Sequence, residues 1–256
     1  MSSFQYHQFL YGADNYGVLM HDPKTGQTAA IDAGDPDSYL QAITETGWSL
    51  SHILVTHHHP DHTDGLIKIA QQTGAAIFGT SGDRPIHQCI ETYLSDGDHF
   101  DFAGHTVEVI ATPGHTLDML NFYLQQEAVC FTGDTLFALG CGRIFEGTPE
   151  MMWASLEKLM KLPPETVIYS SHEYTAANAR FALTVDPDNT ALAKRVQAVE
   201  ALRADNQPTV PSLLSEELAT NPFLRAGDPT IRQHLGMSDA DDKAVFGEIR
   251  ARKDNF

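Results

Sequence analysis

The sequence predicts a layered domain of the all-β or α/β class, followed by a small all-helical domain. Up to about residue 172, short β-branched or alternating apolar runs recur with turn residues between them. After His172 the β-type runs nearly vanish and helical periodicity begins, most clearly in residues 189–204. We therefore predict a layered domain in residues 1–172 and a helical domain in residues 173–256.

The elements of both domains are predicted from local patterns taken in chain order. Apolar and β-branched runs predict strands at residues 4–9, 16–21, 28–32, 53–55, 76–78, 106–110, 121–124, 128–131 and 167–169. Residues 22–26, which include Pro23 and Gly26, have the composition of a hairpin turn. Helical periodicity predicts helices at residues 66–72, 151–160, 176–184, 189–204 and 240–251, and a short helix that starts at Ser212.

Composition restricts the classes of partner. The chain has 256 residues, 42% of them hydrophobic, which is enough for a sizeable core. Its net charge of -18 would repel phosphate backbones and anionic membranes, so we expect no nucleic-acid or membrane partner. The first residues lack the pattern of a secretory signal, and the 3 cysteines form no Cys-x-x-Cys pair. We expect a soluble, cytoplasmic, monomeric protein.

The most informative segment comes directly after the predicted strand at residues 53–55 and contains five metal-ligand side chains: His57, His58, His59, Asp61 and His62. In an extended chain, His57, His59 and Asp61 point one way and His58 points the other way. His62 lies on the first turn of the next element, where its side chain can lie near that of Asp61. A catalytic zinc ion takes about three protein ligands and leaves a place for water. The segment therefore indicates two half-sites and two metal ions, with no metal role for His58.

Three further ligand-type residues each come just after an apolar strand: His115, Asp134 and His172. Combined with the first cluster, they give His57, His59 and His115 for one ion and Asp61, His62 and His172 for the other. Asp134 is then a carboxylate able to bridge both ions. Two partly open sites of this kind suit zinc, iron(II) or manganese.

With these ligands in place, the sequence resembles the metallo-β-lactamase superfamily, whose pattern His-x-His-x-Asp-His matches residues 57–62. Within it the chain resembles the glyoxalase II (hydroxyacylglutathione hydrolase) family at residues 140–143, 172–175, 220–225 and 250–256. The resemblance implies an αββα sandwich with two divalent metal ions, zinc before iron or manganese, and a helical domain that covers the substrate. It also implies hydrolysis of S-(R)-lactoylglutathione to glutathione and D-lactate by a metal-bound hydroxide, the second step of methylglyoxal degradation.

Position by position, the resemblance assigns the metal ligands already described, with Asp61 and Asp134 as catalytic residues. It assigns the contacts to glutathione to Arg143, Phe145, Tyr174, Arg250 and Lys253. Phe145 stands where many members carry a tyrosine, so only stacking is expected there. The alternative for the terminal cations is a solvated helix end with favourable C-terminal charge.

The residues alone, without the family resemblance, are also compatible with other functions. The rival enzymes are a lactonase, a β-lactamase, a mononuclear iron persulfide dioxygenase and an RNA-processing relative. A non-catalytic metal-binding scaffold would predict a missing ligand, and every ligand position is filled. Nucleophilic catalysis by Cys141 is disfavoured because no histidine lies beside it in the sequence.

Overall fold

A computed structural model describes residues 4–256 of the chain. The described residues divide into two compact units. Unit one contains the chain up to Ala111 together with Asp118–Gly133, and unit two contains Thr112–Leu117 and Asp134–Phe256. Among the described residues, no helix combines the length and the apolar character that crossing a membrane requires.

Unit one contains two sheets. In the first, the strands lie in chain order: β1 (Gln5–Tyr11), β2 (Asn15–His21), β3 (Gln27–Ile31), β4 (Ser49–Leu54), β5 (Ala76–Gly79) and β6 (Thr92–Tyr93). The pairs β1–β2 and β2–β3 are antiparallel, and the pairs from β3 to β6 are parallel. The second sheet is an antiparallel meander of β7 (His99–Phe102), β8 (His105–Ala111), β9 (Leu120–Leu124) and β10 (Val129–Gly133).

The two sheets of unit one pack face to face, and helices cover the outer face of the first sheet. Phe102 lies edge-on to His52 with ring centroids 5.1 Å apart, so the sheets meet through aromatic rings. The helices are α1 (Pro36–Thr46), α2 (Pro60–Thr63) and α3 (Leu66–Thr73). Tyr39 of α1 and Ile69 of α3 are wholly buried in the same apolar cluster as Ile53 of β4. The segment after β4 thus starts from a strand packed on both faces.

Unit two is mainly helical. Its helices are α4 (Pro149–Leu159), α5 (Thr175–Val185), α6 (Thr190–Ala204), α7 (Leu214–Thr220), α8 (Pro229–Leu235) and α9 (Asp242–Asp254). It also has two antiparallel strand pairs, β11 (Leu136–Phe137) with β12 (Gly140–Cys141) and β13 (Val167–Ser170) with β14 (Ser212–Leu213). Ala182 of α5 packs against Leu192 and Val196 of α6.

Most predicted elements are present with shifted ends, and two differences have a local cause. Helix α1 was not predicted, although Asp35 caps it by accepting from Ser38 N at 2.8 Å. The short helix begins at Leu214, and its predicted start at Ser212 is wrong because Ser212 pairs with Ile168.

Candidate metal centre

The predicted ligands His57 and His59 lie in unit one, on the extended segment between β4 and α2. His57 is buried, and its Nε2 lies 3.1 Å from Nδ1 of His59. The hydroxyl of Thr56 donates to Asp32 Oδ2 at 2.9 Å and lies 3.0 Å from His57 Nδ1. Because that hydroxyl proton is already used, His57 Nδ1–H is the donor, and Nε2 keeps its lone pair.

Asp61 and His62 lie on α2, which Pro60 begins. His62 is wholly buried, and its Nε2 lies 3.4 Å from Asp61 Oδ2. Its Nδ1 donates to Asp32 Oδ2 at 2.8 Å. This bond leaves the Nε2 lone pair of His62 facing the carboxylate of Asp61.

Asp32 orients the ligand segment. The sequence predicted this residue only as the last position of a strand. Its carboxylate accepts from Thr56 N at 2.7 Å, from the Thr56 hydroxyl and from His62 Nδ1. The residue is buried, and its backbone has a left-handed φ of 60°, which is uncommon for residues other than glycine. The signal available in the sequence was a carboxylate directly after the apolar strand residues 29–31.

His58, which was predicted to have no metal role, is hydrogen-bonded elsewhere in unit one. Its Nδ1 lies 2.9 Å from Asp118 Oδ1, and Nε2 of the buried His87 lies 3.1 Å from the other oxygen of Asp118. One carboxylate therefore binds two imidazole rings outside the predicted ligand set. The burial of His87 and its bond to Asp118 indicate a structural role for this histidine.

The remaining predicted ligands, His115, Asp134 and His172, lie in unit two and are all buried. His115 Nε2 lies 3.3 Å from Asp134 Oδ2, and His172 Nε2 lies 3.4 Å from Asp134 Oδ1. The carboxylate thus offers one oxygen to each histidine. His115 Nδ1 donates to the carbonyl of Arg143 at 2.8 Å, so its Nε2 also carries the lone pair.

The loop that carries Asp134 is held in place by a glycine and by the helical part of unit two. A Cβ on Gly142 would lie 1.9 Å from the carbonyl oxygen of Asp134, so only glycine allows this approach. Asn221 donates to the carbonyl oxygens of Phe137 and Gly140, at 3.2 and 3.0 Å, and so joins both strands of the β11–β12 hairpin. The family-like segment at residues 220–225 therefore shapes the loop that leads to Arg143.

Two predicted substrate residues place aromatic rings beside the ligands of unit two. Tyr174 stacks on His172 with ring centroids 4.7 Å apart and an interplanar angle of 1°. Phe145 meets His115 edge-on at 5.2 Å, and its side chain is 61% exposed. Both rings thus combine a contact to a predicted ligand with an exposed surface.

The three predicted substrate cations differ in their surroundings. Arg143 is exposed, and its Nε lies 3.2 Å from Asp254 Oδ1. Arg250 is buried, and it donates to the Cys141 carbonyl at 3.0 Å and to the same Asp254 oxygen at 2.9 Å. Asp254 therefore joins two of the three cations.

The third cation, Lys253, is half-buried near the rings of Phe181 and Phe256. Desolvation, with the charges of Arg250 and Arg180, lowers the pKa of Lys253 to about 8.

Cys141 does not have the surroundings of a nucleophile. It is buried next to Arg250, whose guanidinium nitrogen lies 3.8 Å from the sulfur. Burial raises the pKa of the Cys141 thiol to about 11, and the nearby arginine offsets only part of that shift. The thiol is protonated at neutral pH, which agrees with the sequence-based argument against cysteine catalysis.

The donor set in each unit fits a divalent cation. Imidazole nitrogens and carboxylate oxygens are the ligands that zinc, iron(II) and manganese accept. His57, His62 and His115 each hold a proton on Nδ1 through a bond to an acceptor, which is the usual arrangement around a metal-binding imidazole. These three histidines therefore present the lone pair of Nε2, rather than an N–H group, toward a neighbouring predicted ligand.

Comparison with known proteins gives two family matches that together span most of the chain. The description "Metallo-beta-lactamase superfamily" matches residues 17–172, and "Hydroxyacylglutathione hydrolase C-terminus" matches residues 173–256. A hydroxyacylglutathione hydrolase of Rhizobium meliloti is 50% identical over 256 residues, covering 100% of both chains. One of Mesorhizobium japonicum is 52% identical and covers 97% of this chain and 98% of its own.

Solved structures share the fold. ETHE1 from Myxococcus xanthus has a TM-score of 0.66 at 24% identity and covers 97% of this chain and 98% of its own. The BLEG-1 B3 metallo-β-lactamase has a TM-score of 0.65 at 20% identity and covers 86% of this chain and 99% of its own. The predicted fold class, a metallo-β-lactamase fold followed by a small helical domain, is confirmed. The chain belongs to the hydroxyacylglutathione hydrolase family of the metallo-β-lactamase superfamily.

Proposed function

We propose that this protein is a thioester hydrolase that converts S-(R)-lactoylglutathione to glutathione and D-lactate, the second step of methylglyoxal degradation. The observation that carries the proposal is the extent of the match. Relatives named hydroxyacylglutathione hydrolase are 50–52% identical over essentially the whole chain, including the helical part that distinguishes this family. The matched ranges thus extend over the part of the chain that carries the predicted substrate residues as well as the part that carries the predicted ligands.

The proposed cofactor is a pair of divalent metal ions, with zinc as the first candidate. The proposed ligands are the seven predicted from the sequence: His57, His59, Asp61, His62, His115, Asp134 and His172. When bound, such ions lower the pKa of a coordinated water and polarise a carbonyl group. The lone pairs held on the histidines, and the split of the Asp134 oxygens between His115 and His172, support this assignment.

The proposed roles of the two carboxylates differ because their surroundings differ. Asp134 is buried between two imidazole rings, which suits a ligand shared between two sites. The side chain of Asp61 is 47% exposed, which suits a group that meets the attacking water. We assign Asp61 to orienting that water and accepting its hydrogen bond.

The reaction balances without a separate acid. The oxygen of water forms a bond to the acyl carbon, the C–S bond breaks, and its electron pair leaves on sulfur. The two protons of the water are released as the lactate carboxylate forms: one is taken up by solvent, and the other is balanced by protonation of the departed thiolate, which gives the glutathione thiol. A thiolate with a pKa of roughly 8 to 9 leaves without prior protonation, so no buried acid beyond the ligands is required.

Binding of glutathione is proposed to rely on local cations and exposed rings. The substrate carries two carboxylates, which a chain with net charge -18 would repel unless cations are placed nearby. Arg143, Lys253 and Arg250 supply that charge within unit two. Tyr174 and Phe145 give it an aromatic wall beside His172 and His115.

Three broader features belong to the same proposal. A division between catalytic and helical domains at residue 172 is supported by the two family matches, which meet at that point. The monomeric state and the cytoplasmic location stay predictions from composition.

The direct test is hydrolysis of S-lactoylglutathione by purified, zinc-loaded protein. We expect loss of the thioester with one glutathione thiol released per turnover. If the substrate is left intact while a lactone, a β-lactam or RNA is cleaved by the same preparation, the substrate assignment is wrong.

A further inference from the structure

The turn between β1 and β2 contacts Asp61 from a distant part of the sequence. Asn15, the first residue of β2, donates from Nδ2 to Asp61 Oδ2 at 3.0 Å. Tyr11, the last residue of β1, donates from its hydroxyl to the backbone carbonyl of Asp61 at 2.8 Å. The two residues are separated from Asp61 by 46 and 50 positions along the chain. One hairpin thus binds both the side chain and the main chain of the same residue.

From this contact we propose that Asn15 is a positioning residue for Asp61. The inference rests on the proposed function, because it assigns Asn15 to the orientation of the carboxylate that meets the attacking water. Asn15 is buried and pairs with Tyr11 across the β1–β2 hairpin, which restricts the motion of its side chain. The side chain of Asp61 is 47% exposed and belongs to α2, a helix of 4 residues that gives little rigidity of its own.

The contact holds the carboxylate of Asp61 at one rotation about its Cβ–Cγ bond. A carboxylate at neutral pH only accepts hydrogen bonds, so the Asn15 group facing it is the NH₂. Oδ2 is held by this amide and lies 3.4 Å from His62 Nε2. Turning the carboxylate plane away from this position breaks the hydrogen bond from Asn15. Asn15 therefore fixes the plane of the carboxylate, with one oxygen facing His62 and the other held in a defined direction.

The main chain beneath Asp61 is fixed independently of Asn15. A Cβ on Gly34 would lie 1.8 Å from the Asp61 carbonyl oxygen, so the backbone there packs directly against a glycine. That same carbonyl accepts the Tyr11 hydroxyl. Loss of the Asn15 amide therefore frees the carboxylate while the backbone of Asp61 stays in place. This separation makes Tyr11→Phe a matched control, since it removes a hydrogen bond from the same turn to the same residue without touching the carboxylate.

The test compares Asn15→Leu, which keeps the side-chain size and removes the donor, with Tyr11→Phe. Chelator-stripped protein is titrated with zinc against a colorimetric chelator, and with cobalt(II) while its visible absorption is recorded. We expect Asn15→Leu to weaken the more loosely bound zinc about 10- to 100-fold, to change the cobalt(II) spectrum, and to lower kcat with KM within about twofold. Tyr11→Phe should keep both zinc affinities within about twofold.

The inference would be overturned if Asn15→Leu kept the wild-type zinc affinities, cobalt(II) spectrum and kcat. It would also be overturned if Tyr11→Phe lost as much zinc affinity as Asn15→Leu, because the turn as a whole, rather than the Asn15 amide, would then be responsible. If Asn15→Leu does not fold, as judged by circular dichroism, Asn15→Ala is measured in the same way. The zinc and cobalt(II) titrations need no substrate. A wild-type protein that binds two zinc ions but leaves S-lactoylglutathione intact would refute the proposed function and still leave the Asn15 effect measurable.

Discussion

The predicted ligands of unit one and those of unit two are built in different ways. In unit one, four ligands lie within residues 57–62, and neighbouring side chains orient them: Asp32 and Thr56 bind their imidazoles, and Asn15 binds Asp61. In unit two, three ligands come from separate loops: a backbone carbonyl accepts from His115, and a closely packed glycine lies against the main chain of Asp134. Side chains therefore orient the ligands of unit one, whereas main-chain groups hold His115 and Asp134 in unit two. Substitutions of polar side chains test the first arrangement, and a change in loop packing tests the second.

The largest effect is expected at Asp32 in unit one. In Asp32→Asn one of the two accepting oxygens becomes an NH₂ group, so the amide either turns a donor toward Thr56 N–H or loses the bonds from the Thr56 hydroxyl and His62 Nδ1. Both orientations disturb the segment, and the second favours the tautomer of His62 with a protonated Nε2. We expect zinc affinity to fall about 10- to 100-fold, with kcat falling as zinc is lost. Zinc titration of the stripped variant measures the change.

Asp118→Asn is the matched control for Asp32→Asn, because Asp118 also binds two imidazoles but neither is a predicted ligand. It should lower the free energy of unfolding by about 1–3 kcal/mol and leave zinc affinity within about twofold. Equal loss of zinc in both variants would show that burial of the carboxylate, and not its bond to His62, is what matters.

The next effect is expected from added volume in unit two. Gly142→Ala places a methyl group 1.9 Å from the Asp134 carbonyl oxygen, so the loop must move. We expect the free energy of unfolding to fall by about 1–3 kcal/mol and kcat to fall about tenfold, because a ligand displaced by about 1 Å is poorly aligned. Gly247→Ala in α9 is the control, since its new methyl lies at an ordinary 3.6 Å from Pro149. It should keep kcat and leave stability unchanged or higher by up to about 1 kcal/mol. Similar losses of kcat in both variants would contradict the volume argument.

A pH effect of intermediate size is expected at Lys253. Its pKa of about 8 means that the side chain is mostly charged at pH 7 and mostly neutral at pH 9. If the charged form binds a glutathione carboxylate, KM is low below the pKa and rises about tenfold between these two pH values. Lys253→Arg keeps the charge, so the ratio of KM at the two pH values should fall toward one. The same ratio in both proteins would remove Lys253 from the binding site.

The smallest effect is expected at Phe145, whose ring is 61% exposed. Phe145→Tyr adds the hydroxyl that the family resemblance leads us to expect at this position, and a single exposed hydrogen bond to the substrate should lower KM about two- to fivefold. The melting temperature should not change. Tyr174→Phe is the reciprocal variant, and we expect it to raise KM by a similar factor. A KM that is unchanged in both variants would limit the two rings to stacking.

The difference between the two units also explains what the sequence could predict. The cluster at residues 57–62 was recognisable because alternation in an extended chain and the metal chemistry of its residues are local properties. The orienting residues were not, because they act across the fold: Asp32 lies 24 positions from Thr56, Asn15 lies 46 from Asp61, and Asp118 lies 60 from His58. Tertiary pairing of this kind leaves no periodicity in the sequence.

Burial was the other property that the sequence could not supply. Arg250 and Lys253 are close in the sequence and were predicted to play the same role, but Arg250 is buried against Cys141 while Lys253 is only half-buried. The helical turn between them changes which side chain can reach solvent. Helix α1 is different, since its Asp35 cap and the glycine at its end were present in the sequence and were overlooked.

The most direct test of the central claim is a zinc titration of the chelator-stripped protein with S-lactoylglutathione as the substrate. We predict that hydrolysis is absent without metal, that the protein binds two zinc ions per chain, and that each turnover of the loaded protein releases one glutathione thiol and one D-lactate. A protein that binds two zinc ions and leaves this thioester intact would contradict the account.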